Sequence, residues 1–153
     1  MKRKRIMIIG PRNCGKTTLA NRINGDGGKL RKTQDTIYAK YTIDVPAAFV
    51  ENAWMYMHII ALSQDANCVL LLIDQTRPSR VYSPGFARVF RCPVIGVITK
   101  ADDCKENAEI CMAQMKEIGL EGPVFSTDSV SGNGLPQLIQ YLCDEGCISL
   151  HIN

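Results

Sequence analysis

The residues best suited to chemistry lie close to the start of the chain. Gly10-Pro11-Arg12-Asn13-Cys14-Gly15-Lys16-Thr17 fits the phosphate-loop pattern G-x-x-x-x-G-K-[ST]. Gly10 and Gly15 let the backbone turn tightly and aim its N–H groups at phosphate oxygens. A helix starting near Lys16 adds the positive end of its dipole. Lys16 places a compact cation on β- and γ-phosphates, and the Thr17 hydroxyl can hold Mg²⁺. The candidate nucleotide contacts in this stretch are Gly10, Asn13, Cys14, Gly15, Lys16, Thr17 and Thr18, with Lys16 and Arg12 as candidate catalytic cations.

A second group sits far along the chain. Thr99-Lys100-Ala101-Asp102 fits the [NT]-K-x-D pattern of GTPases. A carboxylate at Asp102 can accept from guanine N1–H and its exocyclic amine, whereas adenine offers no such pair of donors. Lys100 is expected to lie along the base and brace the phosphate loop, beside Thr99. Asp128-Ser129-Val130 stands where GTPases carry S-A-K, which makes Ser129 and Val130 candidate base contacts. An ordinary turn from strand to helix reads equally well there.

Two further elements bear on hydrolysis. Thr33 can supply a second hydroxyl on the magnesium side. Asp44-Val45-Pro46-Ala47 stands in the place of D-x-x-G, with Asp44 able to hold Mg²⁺ through water. Ala47 replaces the glycine whose N–H meets the γ-phosphate, and Ala48 stands where many GTPases place a water-orienting glutamine. The binding half therefore reads as intact and the hydrolytic half as impaired: at most a weak GTPase.

The elements that must position these residues follow from the apolar pattern. Residues 4–9, 37–44, 68–73, 94–99 and 124–127 read as strands; 68–73 is continuous and apolar, as a central parallel strand should be. Residues 18–24, 49–64, 106–118 and 136–143 read as helices, with Trp54, Met57, Ile60 and Ala61 able to share one face. Residues 25–36 and 75–84 read as loops, a short helix follows the second of these, and 147–152 can add an edge strand. Alternating strands and helices predict an α/β three-layer sandwich with a mainly parallel sheet, a single domain over residues 1–153. Ligands in such folds sit at the carboxyl ends of the strands, where the motifs lie.

Composition narrows the class. A chain of 153 residues, 46% hydrophobic and 22% charged, suits one soluble domain. A net charge of +3 gives no footprint for nucleic acid. Lys2, Arg3, Lys4 and Arg5 form a basic cluster, read either as a docking patch or as a solvated lead-in to the first strand. No stretch is long enough to span a membrane, and no secretory signal is read. Seven cysteines without a C-x-x-C pair lack zinc spacing and favour a reduced, cytoplasmic setting.

The motifs together resemble a known family, the small GTPase-like EutP/PduV proteins. The similarity rests on G-P-x-x-C-G-K-T-[ST]-L, on K-T-Q at Lys32 to Gln34, and on I-D-x-P at Ile43 to Pro46. It extends to S-P-G-F at Ser83 to Phe86 and P-V-I-G-x-x-T-K-A-D from Pro93 to Asp102. The family usually reads D-T-P-G-E-Y where this chain has Asp44-Val45-Pro46-Ala47-Ala48-Phe49. The resemblance implies GTP or GDP with Mg²⁺ as ligands. It also implies an accessory role beside a bacterial microcompartment, in ethanolamine or propanediol utilization, with the shell or other microcompartment proteins as partners. Two alternatives stand beside it: an ATP-dependent phosphotransferase of acetate kinase type, and a degenerate interaction module stabilised by nucleotide.

Overall fold

The computed structural model describes residues 4–25, 36–38 and 41–148. Among the described residues six strands form one sheet: β1 (Arg5–Ile9), β2 (Ile37–Tyr38), β3 (Thr42–Asp44), β4 (Ala66–Asp74), β5 (Val94–Thr99) and β6 (Val124–Ser126). Their order across the sheet is β2-β3-β1-β4-β5-β6. Every pairing from β3 to β6 is parallel, while the short β2 runs antiparallel to β3. The α/β, mainly parallel architecture read from the sequence is therefore present.

The α-helices of the described residues are α1 (Lys16–Asn24), α2 (Ala47–Glu51), α3 (Tyr56–Ser63), α4 (Ala108–Ile118) and α5 (Leu135–Asp144). The strict two-residue alternation of a strand divides its apolar side chains between two cores. Met7, Ile9, Val69, Leu71 and Ile73 face one layer, with Ile59, Phe86, Met115 and Ile118. Ile6, Ile8, Leu70 and Leu72 face the other, with Leu19, Ile23, Leu138 and Leu142. Burial on both faces is what makes the central strands read as unbroken apolar runs. At the centre of β5, a Cβ on Gly96 would lie 2.7 Å from Leu120 Cδ2 and 2.9 Å from Met115 Sδ, so the ends of those two side chains pack directly over the strand backbone.

Several boundaries differ from the sequence reading. The segment 37–44 is two strands, β2 and β3, paired antiparallel with Tyr38 opposite Ile43. The expected helix over 49–64 is broken at Asn52, whose φ of −125° and ψ of 109° leave the helical region. A 3₁₀ turn at Ala53–Met55 then leads into α3. The face expected from Trp54, Met57, Ile60 and Ala61 is not the buried one. Trp54 is 74% exposed and Met57 73% exposed, and the fold buries Val50 and Ile59 in their stead. After α5, Cys147 and Ile148 donate back to the Leu142 carbonyl at 2.8 and 3.4 Å rather than extending the sheet. The rest of the expected edge strand lies outside the described residues, as does Thr33.

Candidate functional site

β1, β3, β4 and β5 end side by side, and the chain leaving each one carries a residue of the site. From Ile9 the chain turns through Gly10–Gly15 into α1. Asn13 has φ 62° and Gly15 φ 97°, both left-handed. Left-handed residues two positions apart in such a loop turn its N–H groups toward a common concavity, the geometry of an anion nest. Asparagine tolerates that region better than most residues, and glycine carries no Cβ penalty. A Cβ on Gly10 would lie 2.6 Å from Cys14 Sγ and 3.0 Å from Leu72 Cβ, so the loop can close only over glycine.

Cys14 itself is 1% exposed, and burial pushes its thiol up to about 11. Its side chain belongs to the core, which leaves only its backbone to the loop. The Cys14 N–H donates to the Pro11 carbonyl at 3.3 Å, and Lys16 Nζ donates to the same oxygen at 3.3 Å. A phosphate would have to win both donors from that carbonyl. Thr18 lies half-buried one residue past Thr17 on α1.

Thr17 and Asp44, 27 residues apart, meet where α1 begins and β3 ends: Thr17 Oγ1 donates to Asp44 Oδ2 at 3.1 Å. Asp44 is 8% exposed. Burial raises its pKa, while the nearby Lys16 charge and the Thr17 hydroxyl pull the other way. A partly desolvated carboxylate next to a hydroxyl is a hard-oxygen pair short of positive charge, the donor chemistry that suits Mg²⁺. Among the described residues no group of three or more His, Cys, Asp or Glu could hold a metal ion. A magnesium ion here would therefore complete its ligands from phosphate and water.

The base side of the site is built by the turn after β5. Lys100 adopts φ 56° there. Its Nζ donates to the Asn13 carbonyl on the phosphate loop at 2.7 Å and to Asp74 Oδ2 at 2.8 Å. Asp74 ends β4 with its side chain only 4% exposed. Burial alone would raise its pKa, but hydrogen bonds from Lys100 and Thr76 hold the carboxyl below the usual value. Thr99 is 5% exposed, and its hydroxyl donates to the Ile73 carbonyl at 3.3 Å, between the strands. Gln75 is buried below the turn and donates to the Ala101 and Asp103 carbonyls at 3.0 and 2.8 Å. Asp102 is left in solvent at the tip.

A second loop, residues 128–134, closes over that tip. Buried Asp128 accepts from the Asp102 N–H at 3.2 Å and, through its other oxygen, from the Val130 and Ser131 N–H groups at 3.0 and 3.2 Å. Arg22 on α1 donates to the Ser129 carbonyl at 2.8 Å, and Val130 stands 95% exposed beside the turn. Asn133 Nδ2 donates to both Asp102 oxygens, at 3.2 and 3.1 Å. Ser131 and Asn133 hold the Asp102 carboxyl below the ordinary aspartate value.

Arg12 makes a long-range contact with α2. Its Nε lies 3.9 Å from Glu51 Oε1 on α2, with Arg12 73% exposed, a loose ion pair of little stabilising value. Ala47 opens α2 and Ala48 follows it, so the two positions adjoin Asp44 with no polar side-chain atom to offer. Sequence reasoning does not single out Asp74, Gln75 or Asn133, and takes Asp128 only as the first residue of the segment in place of S-A-K. The visible signal for Asp74 was a carboxylate terminating an apolar run. Asn133 lay inside the Ser131-to-Gly134 turn, where asparagine is usually read as turn chemistry alone.

Comparison with known proteins agrees with this architecture. The G domain of FeoB from Methanococcus jannaschii superposes with a TM-score of 0.64 at 16% identity, covering 95% of this chain and 98% of that one. A probable GTP-binding protein engB superposes with a TM-score of 0.66 at 17% identity, covering 92% and 97%. The elongation factor SelB from Methanococcus maripaludis, solved with the GTP analogue GppNHp, gives 0.67 at 18% identity; this chain spans 35% of that longer one. The fold is thus that of P-loop GTPases. Among curated proteins, the propanediol utilization protein PduV of Citrobacter freundii is 32% identical over 140 residues, 91% of this chain and 93% of that one. The probable acetate kinase EutP of Escherichia coli is 28% identical over 141 residues, 91% and 89%. The model of the family described as "Ethanolamine utilisation - propanediol utilisation" matches residues 3–144, and the chain belongs to that family, PduV-EutP.

Proposed function

We propose that this protein binds GTP and GDP with Mg²⁺, hydrolyses GTP slowly, and serves ethanolamine- or propanediol-type metabolism as a cytoplasmic accessory of a bacterial microcompartment. One observation carries the nucleotide reading. Lys100 joins the phosphate loop to the base turn through the Asn13 carbonyl, and two residues on stands Asp102, whose acceptors suit guanine. That bond ties the phosphate loop to the turn that carries Asp102, as a site receiving both phosphate and base requires.

Within this reading each residue has a stated task. The N–H groups of Asn13 to Thr18 and the Lys16 ammonium receive the β- and γ-phosphates. Thr17 Oγ1 and, through water, Asp44 hold Mg²⁺, which when bound neutralises phosphate charge as a Lewis acid. Lys100 lies along the base, Asp102 accepts from its donor edge, and Val130 and Ser129 border it. Neither Ala47 nor Ala48 can orient a water by its side chain, so turnover is slow. The microcompartment role is supported by family membership, and shell proteins are the proposed partners.

Asp102→Asn tests the base assignment. It exchanges an acceptor for a donor and should move preference from guanine to xanthine nucleotides. Equal affinity of the parent for GTP and ATP would rule out guanine recognition. The name of the Escherichia coli relative supports a second reading, phosphoryl transfer from ATP to acetate. Formation of acetyl phosphate from ATP and acetate, with no preference for guanine, would establish that one instead.

A further inference from the structure

We propose that Asn133 is a built-in competitor for the base: its carboxamide occupies the acceptor face of Asp102 and so sets how fast guanine nucleotide enters. This inference rests on the guanine reading of Asp102 given above.

The chemistry of the two donors is alike. Guanine presents N1–H and an exocyclic N–H₂ side by side to a carboxylate. Asn133 presents its Nδ2–H₂ to the same pair of oxygens, at 3.2 Å from Oδ1 and 3.1 Å from Oδ2. A carboxylate offers several lone pairs, but only one in-plane direction addresses both oxygens at once. Asn133 takes that direction, so the base and the carboxamide cannot both use it.

The arrangement is fixed by the backbone rather than by a chance rotamer at a loose loop tip. The Asn133 carbonyl accepts from the Asp128 N–H at 2.8 Å, and the Gly132 N–H donates to the Asp128 carbonyl at 2.8 Å. Asp128 also accepts from the Asp102 N–H, so one buried side chain registers the loop against the turn. Gly132 at φ 87° and Gly134 at φ 79° flank Asn133. A Cβ on Gly134 would fall 2.0 Å from the Ser126 carbonyl oxygen, which pins the loop against the end of β6. The Asn133 N–H donates to Ser131 Oγ at 3.2 Å. The main chain thus holds Asn133 in place, and what must move for guanine is its exposed side chain alone.

Rotation of an exposed side chain takes picoseconds to nanoseconds, far faster than nucleotide association. The protein therefore presents a rapid equilibrium between a capped and an uncapped Asp102. Only the uncapped fraction accepts guanine, and apparent affinity falls by that fraction. The effect lies on association, because the carboxamide is already displaced once guanine is bound. Adenine gains little from Asp102 and is indifferent to the cap.

The test uses the full chain and stopped-flow binding of GDP and ADP, each carrying an N-methylanthraniloyl group on the ribose. Asn133→Ala should raise the GDP association rate about three- to tenfold, leave its dissociation rate within about twofold, and leave ADP unchanged. Asn133 is exposed, so the variant should fold as the parent does. An unchanged or lowered GDP association rate would overturn the proposal while the guanine reading stood. An increase shared equally by ADP would show a steric effect of the side chain and overturn it too. A parent that does not distinguish GDP from ADP would remove the guanine reading itself, and this inference with it.

Discussion

Replacing Asp74 tests how the two halves of the site are held together. Asp74 receives three hydrogen bonds: from Lys100 Nζ at 2.8 Å, the Thr76 N–H at 2.9 Å and the Thr76 hydroxyl at 2.6 Å. Losing one partner of a fully buried ion pair costs about 3–5 kcal/mol, whereas exposed pairs contribute about 0–1 kcal/mol. Asp74 is 4% exposed but Lys100 is 38% exposed, so water screens one side. Asp74→Asn keeps an oxygen for Thr76 and should cost about 1–2 kcal/mol. Asp74→Ala also strands the Thr76 donors and should cost about 2–4 kcal/mol. In both, Lys100 loses the anion that aims it at the Asn13 carbonyl, and GDP should bind roughly tenfold more weakly, equivalent to about 1.4 kcal/mol. Urea unfolding followed by circular dichroism gives the first quantity, and calorimetric GDP titration the second. The sign of the pH dependence follows from the lowered Asp74 pKa. Its stabilisation is complete above the unfolded value of about 3.9 and is lost as pH falls through the lower folded value. The gap between parent and Asp74→Asn should therefore be flat from about pH 5 to 8 and close only in stronger acid. An Asp74→Ala protein losing less than about 0.5 kcal/mol and no GDP affinity would refute this account of the joint.

Lys16→Ala should abolish nucleotide binding while circular dichroism shows a folded domain, because Lys16 is only half-buried; a folded variant with parental affinity would remove the phosphate-loop assignment. Single-turnover hydrolysis should be slow in the parent and faster in Ala47→Gly, which frees the backbone beside Asp44. Since Arg12 pairs with Glu51, Arg12→Ala should change the rate little; rapid parental hydrolysis that collapses in Arg12→Ala would make Arg12 catalytic after all. Burial raises the Asp44 pKa, so Mg²⁺ enhancement of GTP binding should weaken as pH falls through that raised value, at higher pH than an exposed aspartate would give. In Asp44→Asn this pH dependence should vanish along with most of the enhancement, which a pH series of Mg²⁺ titrations would reveal.

The parts of this molecule legible in the sequence are those written by local spacing. The phosphate loop needs eight consecutive residues, and the two-faced burial of β4 shows as an unbroken apolar run from Cys68 to Ile73. Asp44 and Lys100 were legible because each directly follows or ends a strand, where this fold gathers ligands. What stayed hidden depends on contacts between distant segments. The Asp74–Lys100 pair spans 26 residues and the Asn133–Asp102 pair 31, and neither alters any periodicity. The stripe of Trp54 and Met57 had the spacing of a buried helical face. The break at Asn52 and the 3₁₀ turn after it rotate that stripe into solvent, an outcome set by backbone angles at one residue. Arg12 is equally ambiguous, since its reach covers both the loop and α2, where its Nε lies 3.9 Å from Glu51 Oε1.

Guanine recognition joined to a magnesium-assisted phosphate loop can be read from one experiment, calorimetric titration of the full chain with GTP, GDP and ATP, each with and without Mg²⁺. Both guanine nucleotides should bind at least about tenfold more tightly than ATP, a difference of about 1.4 kcal/mol, and Mg²⁺ should strengthen GTP binding. Equal affinities for GTP and ATP, or GTP binding indifferent to Mg²⁺, would contradict this reading.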